Sequence, residues 1–142
     1  VAGDAALIKP FLLYRTYHGS AMSGMVQAAS VAAWGDEDHV QANRALYRAK
    51  FDRVTPRLAA VMDVRLPDAG FYLWAAVPGD DVQWARGLLA QYNVTVLPGS
   101  LLARPWGGHN PGAGRVRLAL VAGVDECLEA ADRIVSYVRN TS

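Results

Sequence analysis

The chain has 142 residues, 52% of them apolar and 19% charged, which fits one globular domain and excludes a disordered tail. Fourteen basic residues stand against thirteen acidic ones, a net charge of +1. That balance lacks the basic excess by which nucleic acids and anionic membranes are bound, so neither is expected as a partner. One cysteine, Cys127, excludes an intrachain disulfide and suits a reducing, cytoplasmic compartment. No uncharged apolar run reaches the roughly 18 residues of a bilayer span. His18, His39 and His109 lie far apart, and none has a metal-ligand spacing, so no metal site is expected.

Asp4 caps a predicted helix through Tyr17, with Pro10 expected to delay its start or bend it. Ser20 caps a second predicted helix of small residues through Ala33, and Gly35 is its expected stop. Asp36 caps a third. Its apolar positions Val40, Tyr47, Phe51, Val54, Leu58 and Val61 step by 3, 4 and 7, one helical face. Pro56 is expected to kink or divide it. From Val64 the character changes. Val64–Leu66 reads as a short strand, Pro67–Gly70 as a turn, and Phe71–Val77 as a β-favouring run. Asp80 or Asp81 caps a helix with Val82, Ala85, Leu88, Leu89 and Tyr92 on one face, closed by Asn93 in the left-handed position. Val94–Leu97 is the next predicted strand, ended by Pro98 and Gly99. A Gly/Pro-rich loop over 104–114 precedes a strand at Arg115–Val121. A last helix carries Val124, Leu128, Ala131, Ile134 and Val138.

The order is helices, then β-β-α-β-β-α. It predicts an α/β (α+β) fold, a small mixed or antiparallel sheet covered by helices. Residues 1–35 form a helical part that braces the sheet or serves as an arm, and 36–142 form the α/β core.

Few residues carry obvious chemistry. The serines lack a nucleophile context, and Cys127 within the last helix is a small filler or a free thiol. Asp36, Glu37 and Asp38 are explained by capping. The glycines of 104–114 precede no helix, so they are no phosphate cradle. In the strand from Arg115, alternation puts Val116, Leu118 and Leu120 on one face and Arg115 and Arg117 on the other. Two such guanidinium forks either stand in solvent or converge on a carboxylate, which arginine binds bidentately.

Three segments stand in one order: Gly70-Phe71-Tyr72-Leu73-Trp74, Val94-Thr95-Val96-Leu97-Pro98-Gly99-Ser100 and Gly114-Arg115-Val116-Arg117-Leu118-Ala119-Leu120. Their order and spacing resemble the C-terminal part of class I/II pyridoxal-phosphate aminotransferases of fold type I. Tyr14–Ser23 and Pro98–Arg104 are similar, within that family, to the N-succinyldiaminopimelate branch of lysine and diaminopimelate synthesis. The resemblance implies a C-terminal small domain that closes over an active site. It places the substrate α-carboxylate on Arg117 of a Gly-x-x-Arg pattern, Tyr72 near the substrate pocket, and Pro98 and Gly99 in its wall. It implies pyridoxal phosphate as the parent's cofactor, glutamate and an amino or oxo dicarboxylic acid as substrates, and a homodimer.

One departure matters. The family holds its cofactor on a lysine after a Ser/Thr/Gly-rich tripeptide. Lys9 follows Ala6-Leu7-Ile8, and Lys50 follows Tyr47-Arg48-Ala49. The chain therefore resembles a fragment that begins where the cofactor-binding domain ends. No catalytic residue, bound cofactor or activity is expected of it alone. Two other readings stay open at this point: an amino-acid-binding regulatory module with a ferredoxin-like sheet, and a purely structural domain.

Overall fold

The computed structural model describes residues 1–19 and 21–141. The chain divides into two compact units, Val1–Gln41 and Ala42–Ser142.

In the first unit, α1 spans Ala5–Tyr17 and α2 spans Gly24–Gly35. Asp4 caps α1, its Oδ1 accepting the Ala6 N–H at 2.7 Å. Pro10 neither delays nor ends α1; it forfeits one donor, and the turns on either side hold. The cap of α2 is Ser23, whose Oγ accepts from the Val26 N–H, so the helix starts later than expected. Ser20, the expected cap, lies outside the described residues. Neither helix buries a residue, and Leu12, Leu13, Met25 and Trp34 are exposed.

Helix α3, Asp38–Ala59, runs on into the second unit. Pro56 lies in its last turns and does not divide it; only the donor to the Asp52 carbonyl is lost. The face stepping by 3 and 4 is the buried one, with Phe51, Val54 and Leu58 in the core. Lys50 is buried beside them, which apolar periodicity did not foresee.

The sheet has three antiparallel strands in the order β1-β3-β2. β1 is Tyr72–Ala76, α4 is Asp81–Tyr92, β2 is Leu97–Pro98, α5 is Gly99–Leu102, β3 is Arg115–Ala119 and α6 is Val124–Thr141. Two expected strands are corrected. Val64–Leu66 forms no ladder; only Asp63 reaches β1, its carbonyl accepting the Ala76 N–H at 2.9 Å. Of Val94–Leu97, only Leu97 pairs, joined by Pro98. Beside Val94–Val96 lies an apolar cavity of about 100 Å³, lined also by Val54, Leu118, Cys127 and Ile134, where the chain diverges from β3. The short helix α5 was not foreseen, since four residues carry too little periodicity. The expected β-β-α-β-β-α order becomes β-α-β-α-β-α.

Alternation settles the two faces of the sheet. Leu73 and Ala75 of β1 and Val116 of β3 are fully buried against residues of α3, α4 and α6. Each buried Leu or Val side chain stabilises the fold by about 1.5–3 kcal/mol. In α4, Trp84 joins Ala85 and Leu88 in the core while Leu89 is exposed. In α6, Cys127 and Tyr137 join Leu128, Ala131 and Ile134. Burial pushes the Cys127 thiol up, with the Lys50 charge pulling the other way, so it stays a neutral filler. Asn93 closes α4 at φ 54°, as expected of it.

Asp81, 4% exposed, is a buried carboxylate that joins the first turn of α4 to α5. Burial opposes its ionisation. Hydrogen bonds from Ser100, including its backbone N–H at 2.8 Å, outweigh burial and hold the carboxyl below its ordinary value of 3.8. A depressed carboxyl stabilises the fold fully above its unfolded pKa, and this is lost as pH falls through the lower folded value. Asp81→Asn should therefore cost about 1–3 kcal/mol at neutral pH. The gap between wild type and variant in urea midpoint should shrink below pH ~4. A gap that does not change with pH would contradict this account.

Candidate carboxylate site on the third strand

Arg117 sits at the centre of β3 on the face turned away from the core. Its Cα partners are Trp74 on β1 and Leu97 on β2, so both side chains flank it. Tyr72, two residues before Trp74, shares this face and pairs with Ala119. Its ring lies diagonally across, 5.2 Å from the Arg117 Cζ. Such a contact contributes about 0.5–1 kcal/mol at a partly exposed site. Phe71 meets the Tyr72 ring edge-on at 5.3 Å.

The guanidinium thus lies beside a phenol ring, with Trp74 and Leu97 as the cross-strand neighbours of Arg117. Its Nε is buried and has no hydrogen-bond partner. No carboxylate pairs with it among the described residues. A buried donor without a partner costs about 1–3 kcal/mol, more when charged, and an incoming anion would remove that cost. Arg115, two residues earlier, faces the same way, half-buried and opposite Ala76.

Below Arg117 the wall is made by the turn into α5. A Cβ on Gly99 would lie 2.7 Å from the Trp74 indole and 2.9 Å from the Arg115 carbonyl, and would strike the Gly112 carbonyl. Gly112 is in the mirror position, with Gly99 backbone where its Cβ would be. Two backbones therefore touch, and this contact ties the 104–114 loop to the site's floor. Asn110 adds to it, donating from Nδ2 to the Ser100 carbonyl at 3.0 Å and accepting the Gly112 N–H at 2.9 Å. The loop is no plain connection. Trp106 and His109 exchange both backbone hydrogen bonds around Gly107 and Gly108, whose φ values of 56° and 78° make a type I′ hairpin. Trp106 is 87% exposed.

The structure brings Arg117 and Tyr72 together and sets Pro98 and Gly99 at the adjoining turn. Trp74 and Leu97 were missed as neighbours of Arg117. Trp74 was within reach of sequence reasoning, because period-two spacing from Tyr72 puts it on the same face. Leu97 was not, since its pairing with Arg117 depends on register.

No protein-family model matches the chain. Similarity to individual proteins is clear. An aminotransferase structure from Neisseria meningitidis is 59% identical with a TM-score of 0.80, over 96% of this chain and 35% of that one. The chain belongs to the fold type I aminotransferases. It matches the C-terminal domain of such enzymes, with the small antiparallel sheet and its helices. An LL-diaminopimelate aminotransferase of Nitratidesulfovibrio vulgaris is 31% identical over 139 residues, 94% of this chain and 34% of that protein. A probable N-succinyldiaminopimelate aminotransferase structure from Thermus thermophilus is 31% identical with a TM-score of 0.60, over 72% of this chain and 26% of that one. The chain spans about a third of the length of the curated relatives it matches.

Aminotransferases of this type imply pyridoxal phosphate, held through a lysine. The residues described here do not fit that group. Lys50 is buried, and its Nζ donates to the carbonyls of Leu120 at 2.9 Å and Val121 at 3.4 Å. Lys9 is an exposed residue of α1 with no cradle around it.

The contact between Gly99 and Gly112 makes a sharp prediction. Gly99→Ala should force the turn off Trp74 and Gly112, at a cost of about 1–3 kcal/mol. Urea unfolding read by tryptophan fluorescence would register it; an unchanged midpoint would mean that the turn has room to spare.

Proposed function

We infer that this chain supplies the substrate-carboxylate side of a transaminase, with Arg117 binding the α-carboxylate and Tyr72 shaping the pocket beside it. The observation that carries this reading is the Arg117 guanidinium, half-buried, unpaired and shielded at Nε beneath an aromatic wall. A carboxylate accepts from two of its N–H groups at once, which no lysine can copy. Low-dielectric neighbours such as the Tyr72 ring strengthen charged hydrogen bonds made beside them.

In the whole protein the reaction would be amino-group transfer between glutamate and an oxo acid. Pyridoxal phosphate would supply that chemistry from residues other than those described. Diaminopimelate-type dicarboxylic acids are the substrates best supported. The N. vulgaris and T. thermophilus relatives carry that substrate in their names. The first 35 residues would serve as an arm between the small domain and the remainder, in a homodimer.

Arginine's contribution can be read directly. Titration of the chain with glutarate should perturb Arg117, and Arg117→Ala should abolish the response, with Arg117→Lys restoring little. In the whole protein, Arg117→Ala should raise KM for amino donor and oxo acceptor alike by about 10- to 100-fold, the equivalent of ~1.5–3 kcal/mol. Unchanged KM values would remove Arg117 from the site.

A further inference from the structure

We propose that Lys50 is a positioning residue for the carboxylate site, acting on Arg117 and Tyr72 through the backbone of Leu120 and a row of aromatic rings. The inference rests on the reading of Arg117 given above.

Lys50 is 8% exposed, yet among the described residues no carboxylate pairs with it. Burying an ammonium costs several kcal/mol unless hydrogen bonds replace its water. An apolar side chain of similar length would fill the space without that cost. What it would lack is a grip on the two carbonyls just beyond β3.

That grip falls at a junction. The Leu120 carbonyl accepts from Lys50, and the Leu120 N–H donates to the Phe71 carbonyl at 2.9 Å. One residue, through the peptide groups on either side of its Cα, thus links Lys50 to the chain three residues after Arg117 and one residue before Tyr72. A second route runs through rings. The Lys50 ammonium lies 4.7 Å from the centre of the Tyr47 ring. Tyr47 meets Phe71 at 6.1 Å, Phe71 meets Tyr72 at 5.3 Å, and Tyr72 lies over Arg117. Both routes begin at Lys50 and end at the two residues of the site. The cation therefore holds the end of β3 and the start of β1 in one arrangement, which sets where the guanidinium stands relative to the phenol ring.

The test uses the arginine Nε–H signals of the ¹⁵N-labelled chain, with glutarate as the probe. Lys50→Met should shift and broaden the Arg117 Nε–H signal before any ligand is added, while the backbone amides of α4 stay in place. Its glutarate dissociation constant should rise at least fivefold. Lys50→Arg, which keeps donors on the two carbonyls, should return most of both effects. Should the methionine variant fail to fold, Tyr47→Leu leaves the ammonium on its carbonyls and removes the ring between it and Phe71; the same displacement of Arg117 is expected. An Arg117 signal unmoved in the folded variant overturns the proposal. Failure of the wild-type chain to bind glutarate, with the Arg117 signal still displaced by the variant, would sink the carboxylate reading and leave the positioning role standing.

Discussion

Register between β1 and β3 is the constraint on which the remaining geometry rests. Trp74 stands opposite Arg117 and Leu73 opposite Leu118. Because side chains alternate, a slip of one residue would turn Leu73 and Ala75 out to solvent and drive polar groups into the core. The cost of exposing fully buried Leu73, Ala75 and Val116 therefore fixes the direction in which Arg117 points. The site is oriented by apolar burial on the opposite face of the same strands.

Lys50 and Arg117, both in the second unit, have no acidic partner among the described residues, and they are handled differently. Lys50 is satisfied internally by carbonyls and a ring. Arg117 has a ring and no acceptor for its Nε. Exposed ion pairs such as Arg133 with Glu129 within α6 and Arg57 with Asp132 between α3 and α6 contribute little. Arg117 is different: its Nε is buried without a partner among the described residues, the feature on which the proposed anion site rests, whereas the Lys50 ammonium already has its acceptors. On the proposed reading, the contrast separates a binding group from a group that holds the scaffold, although both are basic residues near one sheet.

Backbone contact does the rest of the shaping. Gly99 and Gly112 meet without side chains between them, and Asp81 and Asn110 take the backbone N–H and carbonyl of Ser100. The loop after α5 is thereby tied to the floor of the site, and its hairpin stands out with Trp106 exposed.

Helices α3, α4 and α6 were legible in the sequence, because their apolar spacing and the capping residues Asp80 and Asn93 are local signals. So was the direction of Arg117, since alternation along β3 needs only the strand itself, and so was the family, through three short motifs in order. What failed were features that depend on partners. Val64–Leu66 and Val94–Val96 have β-favouring residues but no ladder, because a strand exists only where a neighbour accepts its hydrogen bonds. Leu97 beside Arg117, the touching backbones of Gly99 and Gly112, and Lys50 beneath the end of β3 join residues far apart in the chain. Local sequence sets propensities and faces; only tertiary packing decides which distant groups share a site, because that is settled by where the core closes.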